Sequence, residues 1–141
     1  MKLHNPPTVS APTGYSHAAE VPANARLFFL AGQLGSTPDG KLAPDFKGQA
    51  EQAWRNIGAI LASQGMGYEN IVRVTHYLTR PADFPVYRTV RSQFLGNHAP
   101  ASTALFISGL AAPDALVEVE VVAAKEYAPA SRAFGAIRRR R

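Results

Sequence analysis

The chain has 141 residues, 46% apolar and 18% charged, with no cysteine and a net charge of +5. That length suits one domain, burying roughly two-thirds of its unfolded surface. The composition excludes a disordered chain, a disulfide framework and a thiolate metal site. The positive charge belongs to the C-terminal segment. Residues 128–141 hold Arg132 and Arg138 to Arg141 and no acid, which leaves ten basic and ten acidic side chains in 1–127. A neutral body argues against a nucleic-acid-binding surface, so contact with RNA is expected, if anywhere, through that tail.

The segment 1–13 contains Pro6, Pro7 and Pro12, has no apolar run of the signal-peptide kind and reads as an extended N-terminal arm. No stretch approaches the 18 apolar residues of a membrane span, so a cytoplasmic protein without membrane contact is expected. A domain over 14–127 follows, and 128–141 read as a flexible Arg-rich tail. Tyr15 to Val21 is predicted as a short strand, and Pro22 to Ala25 as a turn. Arg26 to Gln33 (RLFFLAGQ) is predicted as a strand that is apolar on both faces and hence covered on both sides. After the Pro38-Asp39-Gly40 turn, Asp45 is placed to cap a helix. Phe46, Ala50, Ala53, Trp54, Ile57, Ile60 and Leu61 form its stripe, with Gln49 off it. Ile71 to Thr79 is predicted as a β-branched strand with Val72, Val74, His76 and Leu78 on one face. A second helix, capped by Asp83, buries Tyr87, Val90 and Phe94 and closes at Gly96-Asn97.

Pro100 to Ala123 (PASTALFISGLAAPDALVEVEVVA) reads as two strands joined by a Pro-Asp turn. In the second, Val117, Val119 and Val121 point one way, and Glu118 and Glu120 the other. The order is β-β-α-β-α-β-β, an α/β (α+β) domain with one mixed sheet and both helices on one face. Two helices leave the other face bare. Apolar strands at 26–33 and 103–107 therefore imply a homo-oligomer packed sheet against sheet, which brings Glu118 and Glu120 near a subunit interface.

Most chemistry-bearing motifs are absent. Gly32, Gly35 and Gly40 have no phosphate-loop spacing, and no nucleophile elbow or His-Glu-x-x-His occurs. His76, within an apolar strand face, reads as a satisfied core histidine, and His98 as a solvated loop residue. The acids remain. Glu118 and Glu120 lie about 6.5–7 Å apart along a strand. They are either two solvated carboxylates or the acids of a cleft, able to move protons or position a water.

Tyr15-Ser16, Ala31-Gly32-Gln33, the helix QAEQAWRNIGAILASQGM and the ending PAST…ALVEVEVVA, in this order and spacing, resemble the RidA/YjgF family of reactive-intermediate deaminases. The resemblance spans about residues 12–125. It implies a chorismate-mutase-like fold, a homotrimer with small-molecule clefts between subunits, and no cofactor or metal. It also implies hydrolysis of enamines or imines such as 2-aminoacrylate. Residue by residue, Tyr15 matches the family's cleft tyrosine, Glu118 the glutamate that positions water, and Gly32 the cleft glycine. Four positions depart. Ser102 stands where the family carries its diagnostic arginine, Ala31 replaces a serine, Arg88 an asparagine, and Ala104 a small residue that is often cysteine.

A serine hydroxyl cannot replace a guanidinium fork on a carboxylate. Losing one partner of such a pair costs ~2–5 kcal/mol, or roughly 30-fold to several thousand-fold in affinity. The missing clamp counts against 2-aminoacrylate-type deamination unless Arg88 compensates. The expectation is a hydrolase-like trimer with Glu118 and Tyr15 catalytic and Arg88, Ser102, Gly32, Ala31 and Ala104 facing the ligand. Two alternatives stay open: a non-catalytic, metabolite-binding regulatory trimer, and an RNA-interacting protein of the translation-inhibitor or endoribonuclease type.

Overall fold

Local chemistry starts the first long helix where the sequence places it. Asp45, in extended conformation, accepts a hydrogen bond from the Gly48 N–H at 2.8 Å and so caps α1 (Phe46–Ala62). The structure, a computed structural model, describes residues 1–127; the expected Arg-rich tail at 128–141 lies outside them. The remaining elements are β1 (Lys2–His4), β2 (Ala18–Glu20), β3 (Ala25–Leu34), β4 (Ile71–Leu78), α2 (Phe84–Leu95), β5 (Ala101–Phe106) and β6 (Val117–Glu126). This is the mixed α+β architecture expected. The main sheet has the order β3-β6-β4-β5, with β6 antiparallel to both neighbours and β4 parallel to β5.

Both helices cover one face of this sheet. Trp54 of α1 stacks on Phe94 of α2 with ring centroids 6.1 Å apart, and both helices reach His76 of β4 through Trp54 and Tyr87. Val117, Val119, Val121 and Ala123 of β6 are all fully buried beneath them. At roughly 1.5–3 kcal/mol for each fully buried large apolar side chain, this row and the α1 stripe supply much of the driving force.

Several local expectations need correction. The last two strands do not pair, because β4 lies between them. Residues 107–116 are too long a link for a tight hairpin, and the buried valine row needs a ladder on both sides, which makes β6 a central strand. The N-terminal segment is not wholly unpatterned: Lys2–His4 pairs antiparallel with Ala18–Glu20, and the expected strand from Tyr15 contracts to those three residues. Asp83 does not cap α2. Its carboxylate is taken by Arg80 Nε at 2.6 Å, and a 3-10 turn at Pro81–Asp83 leads into the helix. His98 is half-buried and donates from Nε2 to the Ile71 carbonyl at 2.7 Å.

Gln49, expected off the stripe, is 2% exposed. Its amide donates to the carbonyls of Ala43 and Asp114, both at 3.1 Å, and accepts from the Leu116 N–H at 2.8 Å. A buried amide with its bonds satisfied carries little net cost, and this one locks α1 to the start of β6. The outer face of β3 is not covered within one chain, where Leu27 is 50% and Phe29 70% exposed.

Replacing Gln49 with Met keeps the volume but strands the Leu116 N–H and two carbonyls. Urea denaturation is expected to show a loss of about 2–4 kcal/mol; an unchanged midpoint would mean that the lock contributes nothing.

Candidate functional site

The free edge of β5 is where side chains from several elements converge. The segment before β2 lies along that edge: the Ser16 N–H donates to the Pro100 carbonyl at 3.1 Å, and Ser16 bridges Ala101 in parallel. This bridge carries Tyr15 to a groove between α2 and β5. The groove holds about 380 Å3 and is lined by Tyr15, Phe84, Arg88, Arg91, Ser102 and Ala104, among others. Ser102 and Ala104 enter it because they sit in register with Val74 and His76, on the helix-covered face.

Beneath the groove a polar chain runs into the core. His76 Nε2 lies 2.9 Å from Ser102 Oγ, and His76 Nδ1 bonds the Tyr87 hydroxyl. His76 and Tyr87 have no solvent exposure. Burial, helped by the nearby Arg91 charge, lowers the His76 pKa to about 3, so the ring is neutral. Burial raises that of Tyr87, which stays protonated. The Trp54 indole N–H lies toward the Tyr87 hydroxyl without meeting hydrogen-bond geometry. His76 is thus the satisfied core histidine that its strand position indicates.

Glu118 lies elsewhere. It alternates with the buried valines and so points from the opposite face of the sheet, two strands from β5, or about 10 Å across. There its carboxylate packs on Gly32. A Cβ built on that glycine would fall 2.0 Å from Glu118 Oε1, so only glycine admits the side chain in this position. Ala31, beside it on β3, is exposed. Glu120 is held differently, accepting from the Tyr77 hydroxyl at 3.2 Å. The two acids are therefore not equivalent: one rests on bare backbone, the other is engaged by a tyrosine.

A family profile described as Endoribonuclease L-PSP matches residues 7–125. A RutC family protein of Aquifex aeolicus is 36% identical over 123 residues, 84% of this chain and 95% of that one. The chain belongs to the RidA/YjgF family. Another similar member is the bovine (Bos taurus) protein named 2-iminobutanoate/2-iminopropanoate deaminase, 31% identical over 118 residues, 82% of this chain and 85% of that one. Among solved structures, a Rid family protein of unknown function from Yersinia pestis, YyfB, superposes with a TM-score of 0.77 at 27% identity. It covers 86% of this chain and 96% of its own.

Within one chain of this RidA/YjgF protein, the seven residues singled out from the sequence form two groups. Tyr15, Arg88, Ser102 and Ala104 meet in the groove. Glu118, Gly32 and Ala31 meet on the outer face. Arg91 was missed, although Tyr87, Val90, Arg91 and Phe94 show a charged residue inside a stripe with steps of three and four. The bond between Ser102 and His76 had no signal, because it depends on a parallel register that no local pattern encodes.

The neutral, buried His76 makes stability pH-dependent. Its folded pKa lies below the ordinary 6.5, so the unfolded chain binds the extra proton between about 6.5 and about 3. This contribution is complete above 6.5 and falls by at most about 1.4 kcal/mol per pH unit on acidification through that window. Thermal melts of His76→Gln should show a shallower fall over the same range; an identical slope would refute the assignment.

Proposed function

We propose that this protein is a cofactor-independent hydrolase of C=N bonds whose cleft is completed by other copies in a homotrimer. The observation that carries this reading is the Glu118 carboxylate seated on Gly32, on a face away from the groove of Tyr15, Arg88 and Ser102. Each group is half of a site, and a neighbouring subunit offers the way to bring the halves together. The bare Leu27 and Phe29 on the same outer face as Glu118 support such packing. So does the bovine relative's name as an imine deaminase.

In this mechanism the Tyr15 segment closes the groove over an enamine or imine, and Glu118 orients a water. Glu118 takes the proton as the water oxygen bonds to the C=N carbon, and returns it to nitrogen. The carbon–nitrogen bond of the resulting carbinolamine then breaks to release ammonia and leave a carbonyl. An enamine first takes a proton at carbon and gives one up from nitrogen to become the imine. Ala31 adjoins the Glu118 seat, and Ala104 keeps the groove open beside Ser102.

One observation favours a second reading. Ser102 occupies the position of the family's arginine and is bonded to His76, which suits a regulatory protein that binds a metabolite without consuming it. Turnover separates the two. With freshly generated 2-imino acids and larger imines as substrates, Glu118→Ala is expected to abolish ammonia release while leaving the melting temperature within a few degrees. Retained release in that variant would sink the hydrolase reading, and saturable binding without release in the wild type would establish the binder.

Gly32→Ala should push the Glu118 side chain aside and lower turnover at least tenfold. The clash is with the end of a flexible side chain, so stability should change by less than about 1 kcal/mol. Unaltered turnover would show that the seat is not used.

A further inference from the structure

The Arg91 guanidinium has no counterion among the described residues. The residue is 8% exposed, and no hydrogen bond or ion pair engages it among the described residues, whose five ion pairs involve other cations. Asp83, the acid at the start of α2, is held by Arg80. Arg91 loses most of its water while its guanidinium keeps contact with the groove, and partial desolvation of an unpaired cation carries a cost that an apolar side chain at this place in the stripe would not. The fold alone therefore does not favour arginine here.

The surroundings are shaped to the guanidinium. Gly14 has φ +74°, and a Cβ on it would lie 2.7 Å from Arg91 Nη2. A glycine both reaches that backbone conformation and leaves room for the charge. No acid lines the groove, and Arg88 stands in it beside Arg91. The two like charges repel, and burial with the Arg88 charge lowers the Arg91 pKa, partly opposed by Tyr87.

Ser102 is oriented to help. A neutral imidazole has one donor and one acceptor nitrogen. If Ser102 donated to His76, Nδ1–H would donate to Tyr87, and the fully buried Tyr87 hydroxyl proton would have no acceptor among the described residues. The reverse order gives the Tyr87 hydroxyl proton an acceptor, with the Trp54 N–H unpaired in either order. Tyr87 donates to Nδ1, and Nε2–H donates to Ser102 Oγ. The Ser102 proton is then left pointing at the groove, a donor and not a nucleophile.

We propose that this groove is a receptor for a doubly charged oxyanion group, with Arg91 as its anchor and Arg88 and the Ser102 hydroxyl completing the grip. The inference deepens the reading above, on which it rests for taking the groove as the ligand site, by naming the ligand's chemistry. Within one chain the groove holds two guanidiniums and no acid, and a dianion can engage both where a lone carboxylate engages one fork. A phosphate group and a pair of neighbouring carboxylates share this chemistry.

Inorganic phosphate and malonate, each titrated at constant ionic strength against acetate and chloride, test it. Arginine Nε–H chemical shifts and the melting temperature are the readouts. Saturable binding of phosphate, of malonate or of both, at least tenfold tighter than acetate, is expected, and which of them binds names the source. Arg91→Met should weaken it at least tenfold and, without ligand, melt no lower than the wild type; Arg88→Gln and Ser102→Ala should each weaken it less. No saturation by either dianion, acetate binding as tightly, or unchanged affinity in Arg91→Met would overturn the proposal. So would a failure of Arg91→Met to fold, which would make the arginine structural. Because binding is read without turnover and Glu118 adds a negative charge to the cleft, Glu118→Ala should not weaken it. Loss of the hydrolase reading would therefore not remove the receptor, and absent binding beside Glu118-dependent turnover would retire only the receptor.

Discussion

The structure depends on one alternation. Along β6, Val117, Val119, Val121 and Ala123 are sealed under the helices, which forces Glu118 and Glu120 onto the other face. Because the period of a strand is two, no register keeps the valines buried and brings the acids to the helix side. The Gln49 amide, fixed to the Leu116 N–H, sets where the strand begins and so which carboxylate meets Gly32. Packing energy thus positions the candidate catalytic acid, which itself contributes little to stability.

The opposite side of the sheet follows a second constraint, the satisfaction of buried polar groups. His76 and Tyr87 lie in the core without charge, and their hydrogen bonds run outward to Ser102 at the groove. With serine there, positive charge at the groove comes from the helix, through Arg88 and Arg91. The serine and the two arginines therefore read as one coordinated change in how the groove recognises charge.

Much of this was legible beforehand. The helix at Phe46–Ala62 with its Asp45 cap and the β4 strand follow from local periodicity and capping chemistry, whereas periodicity places both acids on one face and leaves their different partners to the tertiary structure. Other features depended on partners far along the chain. Gln49 lies 67 residues from the Leu116 N–H it accepts from, and by polarity alone it belonged on the surface. Asp83 had the chemistry of a cap, but Arg80 was closer to hand. His98 had the composition of a loop, yet it is held by the Ile71 carbonyl, 27 residues away in the chain.

The sequence by itself determined the secondary elements, the valine row and, through the resemblance carried by its motifs, the family. These are written in periods of two and of three to four, and in residues a few positions apart. Only the tertiary structure decided that β4 separates β5 from β6, that Ser102 meets His76, and that Arg91 turns inward with no counterion among the described residues. Strand order, parallel register and the pairing of buried charges are settled by which distant surfaces pack together, and no local pattern encodes that choice.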